Sequence, residues 1–253
     1  MRNILSVSLL TFKEGLRERV FYGILVLFSF ILFLNYILSQ IAYGEQEKIL
    51  RDVGLAGIEL TGVIMLIFFL INSFYRERQT KMLELYLVKF SRFEFIWGRF
   101  LGSAMVVFVF LLLGISCLSI LLILKKAFYF SLFIGIYFVF LKLLILLAFG
   151  LLFSTFIGSS VLAYLLTLTM YVTGSGAASA LNIIQQEGTQ LSQFFFKYFH
   201  YLLPNLDKLE VKLMVAYGKT PSASYTLTST FYALVYTGFL LTLTTFVFQK
   251  KEW

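Results

Sequence analysis

Apolar and polar positions fall along this chain in long blocks. Six stretches, Val20–Ala42, Gly54–Phe74, Phe100–Leu124, Ala127–Phe153, Ser159–Leu181 and Tyr225–Phe248, are almost wholly apolar, and every charged residue except Glu59 and Lys142 lies outside them. Each is 21 to 27 residues long. A helix of about 20 residues, rising ~1.5 Å per residue, crosses the hydrocarbon of a bilayer. The pattern predicts an all-α integral membrane protein with six transmembrane helices and both chain ends on one side. The first stretch is too long for the core of a secretion signal and no small-residue cleavage site follows it, so it is expected to stay in the mature chain.

Three segments outside these blocks carry a helical period of their own. In residues 1–19, Leu5, Leu9, Phe12 and Leu16, continued by Val20, recur at steps of three and four, with Lys13, Glu14, Arg17 and Glu18 on the other side. This predicts an amphipathic helix along the inner leaflet, the alternative being a frayed tail whose charges only anchor topology. In residues 75–99, Met82, Leu83, Tyr86 and Leu87 form a stripe that predicts a short helix between spans two and three. Ser91 followed by Glu94 is a capping box that should start the third span below the membrane. In residues 182–224, Leu191, Phe194, Phe195, Tyr198, Phe199, Leu202 and Leu203 keep a helical rhythm that Pro204 stops, too short to span. A connection of this length suits an outer lid or gate, and a plain packing helix remains the alternative.

Composition removes the soluble classes. Of 253 residues 60% are hydrophobic, 19% aromatic and 13% charged, about half the charge that coats an ordinary soluble domain. The formal charge of +8 would raise nucleic acid in a soluble protein; in a membrane protein its sidedness matters more. Twelve Lys and Arg fall in the segments on the side of the termini and eight on the other, four of those eight in the long last loop. Both termini are therefore expected to be cytoplasmic. One cysteine, Cys117, and one histidine, His200, leave no disulfide framework and no cysteine- or histidine-based metal cluster within a chain.

Polar residues inside the spans are the next candidates, because charge in lipid is costly. Lys142 lies near the middle of span four, with Gly135 and Ser131 on nearly the same face; Glu59 and Asn72 lie in span two. Taken from the ends of the apolar blocks, Lys142 sits about 22 Å and Glu59 about 8 Å into their spans, so no direct pair between them is expected. Lys142 either lines a pathway for an anionic or polar substrate or bonds a helix carbonyl or the inner interface. Gly174, Ser175, Gly176 and the small residues up to Ala180 suit a tight helix seam, within the fold or in a dimer.

The run Tyr75-Arg76-Glu77-Arg78-Gln79-Thr80-Lys81-Met82-Leu83-Glu84, then Ser91-Arg92 and Gly98-Arg99-Phe100-Leu101-Gly102, resembles the loop between spans two and three of ABC-2 type ABC transporter permeases. Thr11-Phe12-Lys13-Glu14-Gly15-Leu16-Arg17-Glu18-Arg19 resembles that family's connecting helix, and Leu203-Pro204-Asn205-Leu206 a piece of its outer loop. The nearest flavour is the subgroup linked to maturation of multicopper enzymes. Phe90 departs from a Pro common before the Ser-Arg pair, and Gln79 from a Gly common before the Thr.

The resemblance implies a single permease domain over 1–253 in a prokaryotic inner membrane. It implies a homodimer or pseudo-symmetric dimer, above separate ATPase subunits that hold the ATP and Mg, working as an exporter. It further implies that Glu77, Arg78, Thr80, Lys81, Leu83, Glu84, Ser91 and Arg92 couple to the ATPase. Phe12, Lys13, Glu14, Arg17 and Arg19 would belong to the connecting helix, and Phe195, Phe199, Pro204 and Asn205 to an outer gate. No catalytic residue and no cofactor is expected in the chain itself. Gly218-Lys219-Thr220 imitates the end of a phosphate loop, but Leu213 stands where its first glycine belongs and Pro221 follows. An intramembrane enzyme lacks a nucleophile with its base; an ion-coupled secondary carrier or a membrane assembly factor without its own ATPase stays open beside the permease.

Overall fold

The structure, a computed structural model, describes residues 2–41, 46–176 and 204–250. Its elements are α1 (Arg2–Arg17), α2 (Arg19–Ile41), α3 (Gln46–Gln79), α4 (Met82–Lys89), α5 (Arg92–Leu124), α6 (Ser131–Phe156), α7 (Ser160–Ser175), a 3-10 turn (Leu206–Leu209), α8 (Lys212–Ala216) and α9 (Ala223–Lys250). No strand occurs among the described residues. Five helices, α2, α3, α5, α6 and α9, are long and apolar enough to cross a bilayer, which makes this a multi-pass membrane protein. The fifth predicted span coincides in part with α7, an apolar helix of 16 residues, shorter than the five long enough to cross; its expected continuation from Ala177 to Leu181 lies outside the described residues.

Helix ends depart from the apolar blocks wherever charge can be paired. Helix α3 starts eight residues before Gly54 and runs five beyond Phe74, because Arg51, Ser73 and Glu77 are all buried in helical contacts instead of marking loops. Helix α5 starts at Arg92, where Ser91 caps it: the Ser91 hydroxyl accepts from the Glu94 amide at 3.3 Å and Glu94 Oε2 accepts from the Ser91 amide at 3.0 Å. Helix α6 starts at Ser131, four residues later than the block, after a turn in which Lys126 takes φ 56°.

Helices α3 and α6 form the centre, enclosed by α2, α5, α7 and α9. Phe74, Phe110, Phe138 and Met65 are wholly buried, while Val26, Phe30, Ile120, Leu227 and Phe231 are exposed on the flanks. Exposed apolar side chains on the flanks, with charged residues such as Glu59, Arg99 and Lys142 buried inside the bundle, fit a solvent of lipid. Exposed hydroxyls follow the same rule by bonding their own helices: Ser29 donates to the Leu25 carbonyl at 2.9 Å, Thr169 to Leu165 at 2.8 Å, Thr173 to Thr169 at 2.7 Å.

The bundle has two ends, called here the base, where α1 and α4 lie, and the apex, where the segment Pro204–Lys219 lies. Helix α1 docks along α5 through a face beside the stripe that is expected to lie on the inner leaflet. Val7, Ser8, Thr11 and Gly15 face the bundle, and Leu5 and Leu9 are exposed. Small residues decide this face. A Cβ on Gly102 would stand 2.5 Å from the Ser8 carbonyl oxygen, and one on Gly98 2.6 Å from Val7 Cβ. The backbones of α1 and α5 approach closely only because both positions are glycine; Leu5 and Leu9 stay exposed, while Phe12 and Leu16 are partly buried against the core.

Candidate functional site

Charged side chains gather in two clusters, one at the base and one deep below the apical ends of the helices. At the base, Glu77 of α3 is paired with Arg99 of α5, with side-chain exposures of 7% and 2%. Arg99 also donates to the Ser73 hydroxyl at 2.7 Å, and Ser73 donates to Glu14 Oε1 of α1 at 2.9 Å. Arg76 is in contact with both Glu14 and Glu18. The helix period puts Ser73, Arg76 and Glu77 on one side of α3 and Glu14 and Glu18 on one side of α1. Three helices are thereby locked through alternating charge. Glu14 and Glu18, expected on the solvated side of α1, instead meet Arg76; Lys13, Arg17 and Arg19 remain exposed and Phe12 is half-buried.

The residues expected to couple to a partner divide into two sets. Glu77 and Leu83 are buried, and Arg78 donates to the Ile157 carbonyl at 3.4 Å. Thr80 closes the end of α3 by donating to the Arg76 carbonyl at 2.9 Å, and Lys81 then takes φ 56°, the left-handed bend that separates α3 from α4. Arg92 donates to the Phe248 carbonyl at 3.0 Å and to that of Gln249, tying the start of α5 to the end of α9. Lys81, Glu84 and Ser91 are exposed. Tyr86 lies over Phe95 with ring centroids 5.9 Å apart; burial, reinforced by the nearby Glu77 and Glu14 carboxylates, raises its phenol pKa. Between α1 and α4 an open groove of about 1230 Å³ is lined by Leu9, Lys13, Arg17, Arg76, Thr80 and Met82 among others.

At the apical end, the offset that argued against a Lys142–Glu59 pair is overturned: Lys142 Nζ lies 2.7 Å from Glu59 Oε1. The physical reason is the helix ends. With α3 beginning at Gln46 and α6 at Ser131, Glu59 is about 20 Å and Lys142 about 16 Å from the apical ends of their helices, nearly level. Lys142 bonds neither a helix carbonyl nor the inner interface. Glu210 and Lys212 complete the cluster from the segment after Pro204. Lys142 Nζ is 2.6 Å from Glu210 Oε2, Lys212 Nζ is 2.5 Å from Glu59 Oε2 and 3.0 Å from Glu210 Oε1. The Tyr171 hydroxyl of α7 donates to Glu59 Oε1 at 2.9 Å. Burial disfavours the Lys212 ammonium, but Glu59 and Glu210 outweigh it, and its pKa is raised above the ordinary lysine value.

The apical segment reaches this depth because it is apolar wherever it touches helices. Leu206, Leu209, Val211, Val215 and Ala216 are buried. Ser131 donates to the Val215 carbonyl at 3.3 Å, and a Cβ on Gly135 would meet Val215 Cγ1 at 3.3 Å. The face of α6 bearing Ser131, Gly135 and Lys142 is thus covered by the chain's own segment. Gly174 packs beneath the Pro204 carbonyl and Leu206, and the Asn205 amide donates to the Tyr232 hydroxyl at 2.9 Å. Phe195 and Phe199 of the expected gate lie outside the described residues. Asn72, expected inside, is exposed on α3 near the base.

Ser73, Glu210, Lys212 and Tyr171 carry these clusters although none stood out in sequence, and Arg99, quoted there only within the run that opens span three, was given no partner. Arg99 sat among the basic residues that mark the inner side; Glu210 and Lys212 sat in a loop, where charge is ordinary. A readable signal for the latter was their alternation with Leu209, Val211 and Val215, too apolar for a solvated turn. No protein-family model matches this sequence, and no curated protein sequence matches it.

Proposed function

We propose that this chain is the membrane-spanning permease subunit of an ATP-driven transporter of the ABC-2 type. In this reading it crosses the plasma membrane of a prokaryote six times with both termini in the cytoplasm, pairs with a second permease, and exports its substrate using ATP hydrolysed by separate subunits. The observation that carries the reading is the base: an open groove between α1 and α4, with α1 joined to α3 and α5 through Glu14, Glu18, Arg76, Glu77 and Arg99. A subunit seated there and changing shape on nucleotide would move α1 and α4, and the buried charges would carry that displacement into α3 and α5. Helix α3 holds Glu77 at the base and Glu59 in the apical cluster, 18 residues or about 27 Å apart on one rigid rod. A shift of α3 therefore loads both clusters, which is the kind of two-state packing change that differential nucleotide binding can drive.

Purification of the tagged chain from its native membranes tests this. A nucleotide-hydrolysing subunit should co-purify, and charge reversal at exposed positions of the groove, Lys13→Glu with Arg17→Glu, should release it while the permease keeps its melting temperature. An ion-coupled carrier is the second reading, favoured by one feature: Glu59, a carboxylate about 20 Å along α3 and 1% exposed, tied to a mid-helix lysine. Uptake or efflux that follows an ion gradient with no hydrolytic subunit present would decide for it.

A further inference from the structure

The geometry points to a carboxylate-binding site between Lys142 and Lys212, which Glu210 of the chain itself fills in this state. The four charges are unequal. Glu59 is 1% exposed on the central helix α3 and is held additionally by Tyr171; Lys142 is 2% exposed on α6. Both belong to the rigid bundle. Glu210 is 37% exposed and stands between the 3-10 turn and α8, on irregular backbone at the apical surface. It uses one oxygen on each ammonium, 2.6 Å to Lys142 and 3.0 Å to Lys212, a bidentate seat that suits any planar carboxylate.

Charge counting shows what that seat requires. With Glu210 in place, two ammoniums face two carboxylates. With Glu210 withdrawn, two ammoniums share Glu59 alone, and an uncompensated positive charge is left beside a lysine that is almost wholly buried. The bundle therefore demands a second carboxylate at this point whichever molecule supplies it. Glu210 reaches solvent at the apical end, so a water-soluble carboxylate arriving there would exchange with it directly. Such exchange would displace the Glu210 side chain towards solvent while Lys212 stays on Glu59, so the seat stays assembled as its occupant changes. That the ligand is cargo rests on the transporter reading; the existence of the seat rests on the cluster alone.

The test uses the full chain in detergent, with sodium acetate as probe and sodium chloride at equal ionic strength as control. Glu210→Ala vacates the seat, and Glu210→Gln vacates the charge while keeping the shape, so at least one folded variant is read. Acetate should raise the melting temperature of the variant saturably, by about 3 °C or more beyond chloride. It should bind the native chain about tenfold more weakly, because the intramolecular carboxylate competes. Adding Lys142→Met to the Glu210 variant should abolish the acetate effect. Equal response to acetate and chloride, an acetate response as strong in the native chain, or one that survives Lys142→Met would overturn the proposal. Co-purification of a hydrolytic subunit is read separately on the native chain, so failure there leaves the acetate result standing, and the reverse.

Discussion

Replacing Arg99 by methionine should be among the most damaging single changes in this chain. Its guanidinium is 2% exposed, faces Glu77 at 7%, and donates to Ser73. Removing it strands a carboxylate with no solvent to turn to, and breaking a buried pair in this way costs roughly 3–5 kcal/mol. The pair itself is imperfect, since Glu77 Oε2 and Arg99 Nε have no hydrogen-bond partner. Replacing both residues, Glu77→Met with Arg99→Met, therefore returns two desolvation penalties for the loss of one attraction, and the double variant should lie within about 1 kcal/mol of the native chain. A double-mutant cycle on thermal unfolding in detergent measures this, with each single expected to lower the melting temperature by about 6 °C or more. Two single variants each within about 1 kcal/mol of native, or a double variant as unstable as the sum of its parts, would refute the reasoning.

Further outcomes follow from the same geometry. Gly102→Val should lift α1 from α5, because its Cβ already meets the Ser8 carbonyl oxygen at 2.5 Å; hydrogen exchange over residues 2–17 should accelerate while α5 and α6 keep their protection, and unchanged exchange in α1 would contradict the close-packing account. Ser91→Ala should cost about 1 kcal/mol in thermal unfolding by removing the N-cap of α5, with Ser91→Thr recovering most of it. Lys212 has a folded pKa raised above 10.5, so its contribution is fully present below the ordinary lysine value and is lost as pH rises through the folded one. Melting temperature should therefore be insensitive to Lys212 titration through neutral pH and fall above about pH 10.5. Lys212→Met should lack that alkaline step; a step of equal size in the variant would assign it elsewhere.

Some of this protein was legible from residue order alone because lipid imposes a one-dimensional rule. A helix must hide its backbone and needs about 20 apolar residues to cross, so the cores of five long apolar helices and a shorter apolar helix, α7, could be read directly from the blocks. The Ser91–Glu94 cap and the short helix beside it were equally local, depending on residues three or four apart. Charged residues were legible as interruptions but not as partners. Arg99 and Glu77 are 22 positions apart and Lys142 and Glu59 83 apart, and nothing in spacing says which charge meets which.

Tertiary structure decided what the interruptions are for. Pairing lets helices run past their apolar blocks, as α3 does on both ends, and that extension brought Lys142 level with Glu59 where apolar boundaries had set them apart. It also turned α1 so that Val7, Ser8, Thr11 and Gly15, not Leu5 and Leu9, meet the bundle, because Gly98 and Gly102 on the facing helix allow close backbone approach. The apical segment folds inward because its apolar residues and two of its charges, Glu210 and Lys212, find complementary surfaces on α3, α6 and α7. Sequence thus determined that the chain belongs in a membrane and where most of its helices begin; only packing determined that Glu77 meets Arg99 and Glu59 meets Lys142, since partnership between distant charges is a property of the assembled bundle.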